Sequence, residues 1–163
     1  MRVAVDSNIF FYAITHGREH LKKRDINPGD IKNFLQHVSG HPDIELCIPV
    51  SVLAEIVAIC LKGEHEGKKH TTEELFDLIE FWRGLEISFL HPNKAVAIAC
   101  YALYMDKAFM DSRLNPSDLV HLGYALAYNL DYLITTDKTL RDYRVPDEFK
   151  LQIKHPKNAN DIF

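Results

Sequence analysis

Four acidic residues lie beside or within apolar segments, where an isolated carboxylate is unfavourable. Asp6 follows the β-branched run RVAV, Asp137 follows DYLITT, Asp118 lies in NPSDLV, and Glu55 interrupts the apolar run SVLAEIVAICL. A buried carboxylate is costly unless it is paired, protonated or bound to a metal. Carboxylates that gather at one place repel one another and require a cation. Oxygen ligands favour a hard divalent ion, so the chemistry indicated is that of Mg²⁺ or Mn²⁺.

The elements that must position these acids follow from the hydrophobic pattern. Short apolar runs predict strands at RVAV, IELCIP, LEISFL and DYLITT, with a fifth strand near FKLQIK. Helices are predicted for SNIFFYAI, NPGDIKNFLQHV, SVLAEIVAICLK, TTEELFDLIEFWRGL, NKAVAIACYALYMDKAF and NPSDLVHLGYALAYNL. Strands that alternate with helices predict a parallel sheet with right-handed crossovers and helices on both faces.

This arrangement predicts where the acids lie. In open parallel sheets, ligands bind outside the carboxyl ends of the strands. Asp6 and Asp137 directly follow strands, and Glu55 is about one turn into the helix after the second strand. Asp118 joins them if its helix begins over the same edge. The sequence therefore predicts a metal site of four carboxylates at one edge of the sheet.

Each acid also has a simpler interpretation. Asp6, followed by Ser and Asn, could cap the first helix. Asp118 suits the positive end of its helix dipole and could act as a cap alone, and Asp137 could cap a turn in TTDKTL. Glu55 could be exposed on one edge of a helix that is otherwise mostly buried. None of these interpretations explains why all four acids fall at one end of one sheet.

Composition bounds the class of protein. A chain of 163 residues with 47% apolar and 26% charged residues, and no linker or repeat, predicts a single globular domain over 1–163. Its longest run without Asp, Glu, Lys or Arg is LVHLGYALAYNL, which is too short to span a bilayer. The N-terminus MRVAVDSNIFF does not resemble a signal peptide, so we expect a cytoplasmic protein.

The three cysteines, Cys47, Cys60 and Cys100, each stand alone among apolar neighbours. An odd number of cysteines without a C-x-x-C spacing predicts reduced core residues, with neither disulfides nor zinc ligands.

Three segments resemble, in order, the conserved blocks of PIN-domain proteins, the family that includes the ribonuclease toxins of VapBC toxin–antitoxin pairs. They are VAVDSNIFFYAI, IPVSVLAEIVAI and NPSDLVHLGYALAYNLDYLITTDKTL, and the resemblance that they carry extends over nearly the whole chain. The resemblance implies a three-layer α/β/α sandwich around a central parallel sheet of about five strands. It also implies that Asp6, Glu55, Asp118 and Asp137 are the catalytic metal ligands.

The activity implied by this resemblance is hydrolysis of RNA phosphodiester bonds with one or two Mg²⁺ or Mn²⁺ ions. Asn8 and Thr135 would hold the carboxylates in place. An antitoxin protein and a homodimer are the partners implied. Two alternatives stay open: a non-catalytic or partner-controlled PIN domain that binds RNA or protein, and a stand-alone RNA-processing nuclease.

A basic segment, HGREHLKKR, follows the first predicted helix. On charge alone, Arg18, Lys22, Lys23 and Arg24 are candidates for phosphate contacts, although a solvated loop face is the commoner explanation of such a run. The formal net charge of −4 argues against extensive coating of nucleic acid. HGREH also fits the H-x-x-E-H spacing of inverted zinc peptidases, but its glycine disfavours a helix and no third ligand is evident.

His121 lies three residues after Asp118. It could be a metal ligand, a substrate contact or a histidine packed inside its helix. The last of these interpretations is favoured.

Overall fold

The computed structural model describes residues 1–14, 27–62, 64–65, 68–69, 72–106, 110, 112 and 114–159. The strands in this part of the chain are β1 (Arg2–Val5), β2 (Glu45–Pro49), β3 (Glu64–His65), β4 (Lys68–Lys69), β5 (Ser88–Leu90), β6 (Tyr132–Ile134) and β7 (Gln152–Lys154). Five of them form one sheet in the order β5-β2-β1-β6-β7, and every neighbouring pair in it is parallel. The predicted parallel sheet of five strands is confirmed.

The helices in the same residues are α1 (Ser7–Ile14), α2 (Pro28–Gly40), α3 (Val50–Lys62), α4 (Thr72–Arg83), α5 (Lys94–Met105), α6 (Pro116–Ala127), α7 (Lys138–Arg141) and α8 (Pro156–Ala159). Local signals account for several of their starts. The Asn27 side chain accepts a hydrogen bond from the Gly29 N–H at 3.0 Å, and a proline takes the first helical position. Asn115 caps α6 in the same way.

Some boundaries differ from the predicted ones. The helix predicted for SVLAEIVAICLK begins one residue earlier, at Val50, because β2 ends at Pro49 and the chain enters α3 directly. Strand β5 is shorter than LEISFL and begins at Ser88, where it pairs with Cys47 of β2. The β3–β4 hairpin, α7 and α8 were not predicted. Each is four residues long or shorter, so no hydrophobic period can develop in it.

The sheet separates two apolar cores, as its pleat requires. Val3 and Val5 of β1 point to the core that contains α1, α2, α3 and α4. Ala4 of the same strand points to the opposite core, which contains α5 and α6. The chain is therefore a three-layer α/β/α sandwich, as expected. No helix in the described part of the chain is long and apolar enough to cross a membrane.

Helix α3 departs from the expected burial. Val52 and Ile56 face the core, but Val57 is 48% exposed and Leu61 is 84% exposed. The expectation of a mostly buried helix is wrong, because one apolar face of α3 packs inward and another lines a surface groove. An apolar sequence pattern does not distinguish a helix face that packs in the core from one that lines a surface groove.

The structure describes the side chains of two cysteines. Cys47 is fully buried in β2, Cys100 is half-buried in α5, and neither forms a disulfide. Burial raises the pKa of the Cys47 thiol to about 11, and the negative charge of Glu45 adds to the effect. The side chain of Cys60 lies outside the described residues.

Candidate active site at the carboxyl edge of the sheet

Asp6 is the centre of the polar cluster at this edge. Val5 pairs with Ile134 in the parallel ladder, so Asp6 and Thr135 leave neighbouring strands side by side. The Thr135 hydroxyl donates to Oδ2 of Asp6 at 2.8 Å, and the Asn8 amide approaches the same oxygen at 3.5 Å. The Ser7 hydroxyl donates to Oδ1 at 3.3 Å. Asp6 is only 5% exposed, so these donors hold its carboxylate in a fixed orientation.

Glu55 reaches the same place from α3. Its side chain is 32% exposed and forms contacts with α6. The Ser117 hydroxyl donates to Oε1 of Glu55, and Nε2 of His121 lies 3.3 Å from Oε2. The carboxylate of Glu55 therefore turns toward Asp6 and α6.

His121 lies between the two carboxylates. It is 3% exposed, and its Nε2 is 3.9 Å from Oδ1 of Asp6 and 3.5 Å from the hydroxyl oxygen of Ser117. Burial lowers the pKa of the imidazole. The hydrogen bond to Glu55 and the charges of the surrounding carboxylates outweigh burial, so the pKa ends above its ordinary value. The interpretation of His121 as a packed helix residue is incomplete, because the buried ring also contacts the acidic site.

Asp118 performs the capping role that the simpler interpretation gave it. Its Oδ2 accepts from the Asn115 N–H at 2.9 Å, and Asn115 accepts from the Asp118 N–H at 3.0 Å, which completes a capping box. Burial raises the pKa of the Asp118 carboxyl, while the hydrogen bond from Asn115 lowers it. The charges of Asp137 and Asp6 raise it further. Asp118 thus caps α6 and also experiences the charge of two other acids.

Asp137 also caps a helix. Its Oδ1 accepts from the N–H groups of Thr139 and Leu140, at 2.6 Å and 3.3 Å, at the start of α7. Its own N–H donates to the Thr135 hydroxyl oxygen at 3.0 Å, which links it to the residue that holds Asp6. Because both capping bonds end on Oδ1, Oδ2 of Asp137 does not take part in the cap.

The residues at this edge fit a divalent metal ion. Asp6, Glu55 and His121 each offer a ligand atom, and these atoms all lie within 4.8 Å of one another. Two carboxylates and an imidazole form a donor set that divalent ions accept in proteins. Within the described residues, Asp118 and Asp137 are not members of this group. They add negative charge beside it.

Sequence reasoning missed Ser117, and it considered a site contact of His121 but favoured a packed helix histidine. Both lie on α6 beside Asp118, four residues apart and therefore on one helix face. That spacing predicts that the two side chains share a face of α6, but not which element this face meets. The candidates for phosphate contacts, Arg18, Lys22, Lys23 and Arg24, lie outside the described residues, as does HGREH.

Comparison with known proteins defines the class. A model of the PIN domain family matches residues 3–146, and the chain belongs to this family. No curated protein matches the chain.

Three solved structures are similar in fold. The crystal structure of VapBC2 from Rickettsia felis bound to a promoter DNA fragment has a chain with a TM-score of 0.67 and 17% identity, covering 95% of this chain and 98% of that one. A chain of the DNA-bound VapBC from Salmonella typhimurium has a TM-score of 0.60 and 20% identity, and the match covers 96% of this chain and 98% of that one. A chain of VapBC-1 from nontypeable Haemophilus influenzae has a TM-score of 0.59 and 18% identity, and the match covers 96% of this chain and 99% of that one.

Proposed function

We propose that the protein is a metal-dependent endoribonuclease of the VapC-like toxin type, a single domain over 1–163 that acts in the cytoplasm. One observation supports this most directly. Asp6, Glu55 and His121 converge at the carboxyl edge of the sheet, and Asp118 and Asp137 add charge beside them. PIN domains are generally nucleases, so the family membership agrees with this chemistry.

The chain's own residues take distinct roles in this proposal. Asp6 and Glu55 hold the ion, and Asp118 and Asp137 bind it directly or through water. Thr135 and Asn8 fix the Asp6 carboxylate by the hydrogen bonds described above. When bound, Mg²⁺ or Mn²⁺ supplies positive charge for the scissile phosphate and activates water for attack.

RNA is the proposed substrate because the chain resembles the ribonuclease toxins of its family. The proposed phosphate contacts are Arg18, Lys22, Lys23 and Arg24. A cation that neutralises a phosphate increases the affinity for RNA, and this increase becomes smaller as the salt concentration rises. Replacing all four by Gln should weaken RNA binding at low salt and reduce its salt dependence.

The decisive test is cleavage of a labelled structured RNA in Mg²⁺, in Mn²⁺ and in EDTA. We expect cutting with either ion, none in EDTA, and a loss of about 100-fold or more in Asp6→Asn. Asp147→Asn is the matched control, because that carboxylate is 85% exposed in its side chain and pairs with surface Arg144. Cutting that persists in EDTA, or in Asp6→Asn, contradicts the proposal.

A partner protein of the antitoxin kind is proposed as well. The three similar structures are described as VapBC complexes. In this chain, a groove of about 530 Å³ between α3, α4 and β5 exposes apolar side chains that include Val57, Leu61 and Ile79. An apolar partner segment laid in this groove would remove them from water.

This partner can be sought by expressing the protein in a bacterial host with and without the product of the adjacent gene. Growth arrest that the second gene relieves supports the toxin assignment. Leu61→Glu should restore the arrest in the presence of the partner, because it places a charge in the groove while leaving the acidic edge intact. Growth that is unaffected by the active nuclease contradicts the toxin assignment and favours an RNA-processing role.

A homodimer is proposed through α5. Val96 and Leu103 of this helix are buried, but Ile98, Tyr101 and Met105 form a second apolar face that is 58–66% exposed. Sedimentation equilibrium should show a dimer, and Tyr101→Arg should convert it to monomer. A monomeric wild type at high concentration contradicts this proposal.

A further inference from the structure

The His121 imidazole directs its polar contacts into the acidic site. Its Nε2 approaches Glu55 at 3.3 Å and Asp6 at 3.9 Å. Its Nδ1 is buried and has no hydrogen-bond partner in the described part of the chain. A histidine that only supports packing normally satisfies its buried ring nitrogens elsewhere in the protein. This ring instead presents Nε2 to two carboxylates, while its buried Nδ1 has no hydrogen-bond partner among the described residues.

An imidazole nitrogen changes which ion such a site prefers. A shell made only of oxygen suits Mg²⁺, which binds nitrogen weakly and keeps several waters. First-row transition ions accept imidazole readily, and Mn²⁺ accepts both carboxylate and imidazole. We propose that His121 is a metal ligand together with Asp6 and Glu55, and that its nitrogen makes the site prefer Mn²⁺ to Mg²⁺. This inference rests on the proposed function only in requiring that the site binds a divalent ion.

A different arrangement would place the same atoms at the same distances. A protonated His121 could itself serve as the cation between Asp6 and Glu55 and compete with a metal for them. The two arrangements predict opposite effects of His121→Gln. Loss of a ligand weakens Mn²⁺ binding, whereas loss of a competing cation strengthens the binding of both ions.

The measurement is the dissociation constant of Mn²⁺ from electron paramagnetic resonance of the free ion, with Mg²⁺ affinity from competition. We expect His121→Gln to weaken Mn²⁺ binding by about 10-fold or more and to change Mg²⁺ binding by less than about 3-fold. His91→Gln is the matched control, because its side chain is exposed and remote in sequence from the acids. An equal loss for both ions, or a gain for both, overturns the inference.

A second measurement needs no substitution of a buried residue. Electron spin-echo modulation of Mn²⁺ bound to the wild type should show coupling to a directly bound imidazole nitrogen, and labelling histidine with ¹⁵N should change it. Asp6→Asn should remove the signal, which assigns it to this site and not to another of the nine histidines. Tight Mn²⁺ binding without nitrogen coupling overturns this inference but leaves the proposed metal-dependent function intact. Absence of any Mn²⁺ or Mg²⁺ binding in the wild type overturns the metal-dependent function as well.

Discussion

Thr135 donates a hydrogen bond of 2.8 Å to Asp6, joining residues that are 129 positions apart in the chain. Thr135 is completely buried, and its hydroxyl oxygen also accepts from the Asp137 N–H at 3.0 Å. One hydroxyl therefore orients two of the acids at the site. The parallel pairing of β1 with β6 makes this possible, because it brings the two strand ends together.

Thr135→Val should separate the orienting role of this hydroxyl from its volume. Valine has nearly the same shape but leaves the Asp137 N–H and Oδ2 of Asp6 without this partner. We expect a loss of stability of about 1–3 kcal/mol and metal affinity lower by about 10- to 100-fold. Thermal unfolding and isothermal titration with Mn²⁺ measure the two effects. Thr135→Ser retains the hydroxyl and should restore most of the metal affinity; a variant as weak as valine would contradict the orienting role.

Gly123 permits the close approach of α6 to α5. A Cβ at this position would lie 2.2 Å from Sγ of Cys100 and 3.3 Å from its backbone nitrogen. Alanine normally stabilises a helix interior relative to glycine by about 1 kcal/mol. Here we expect Gly123→Ala to destabilise the protein by about 1–3 kcal/mol through overpacking, as measured by urea unfolding.

A double-variant cycle identifies the cause. Cys100→Ala removes the sulfur that the new methyl group meets first, so Gly123→Ala should cost less in that background. The two substitutions should therefore be non-additive. Additive costs would mean that the backbone contact, and not the sulfur, limits the approach of the helices.

Cys47 should be inert in the native protein. With its thiol pKa raised to about 11, only about one molecule in a thousand carries the reactive thiolate at pH 8. Full burial adds a steric barrier. We expect no alkylation of Cys47 by iodoacetamide until urea unfolds the chain, as followed by peptide mass spectrometry. Labelling of this residue at the rate of an unfolded control would show that β2 opens readily.

Much of the fold was predictable because its signals are local. The buried β-branched run before Asp6 predicts a central strand, and Asn27 followed by proline predicts the start of a helix. The exposed face of α3 was not predictable, because Leu61 has the same apolar character in a groove as in a core. The position of His121 against Glu55 depends on how α6 packs on α3, which no local pattern in either helix contains.

For Asp118 and Asp137, the local sequence pattern does not distinguish a helix cap from a metal ligand. Sequence reasoning set capping and metal binding as alternatives for Asp118 and Asp137, yet the structure shows both residues capping helices at the edge where the site lies. The two roles share a cause, because helices that begin over the carboxyl edge of the sheet place their N-terminal caps there. A pattern that predicts a cap therefore does not argue against a ligand.

Asp137 allows the two roles to be separated by substitution. Serine caps a helix about as well as aspartate but carries no charge, whereas alanine neither caps the helix nor carries a charge. We expect Asp137→Ser to retain wild-type stability within about 0.5 kcal/mol, and Asp137→Ala to lose about 0.5–2 kcal/mol. Both variants should lose RNA cleavage by about 10-fold or more if the carboxylate binds the ion directly or through water. Thermal unfolding and cleavage rates at saturating Mn²⁺ give the two readings. Full activity in Asp137→Ser would assign this residue to capping alone and leave Asp6, Glu55 and Asp118 as the acids of the site.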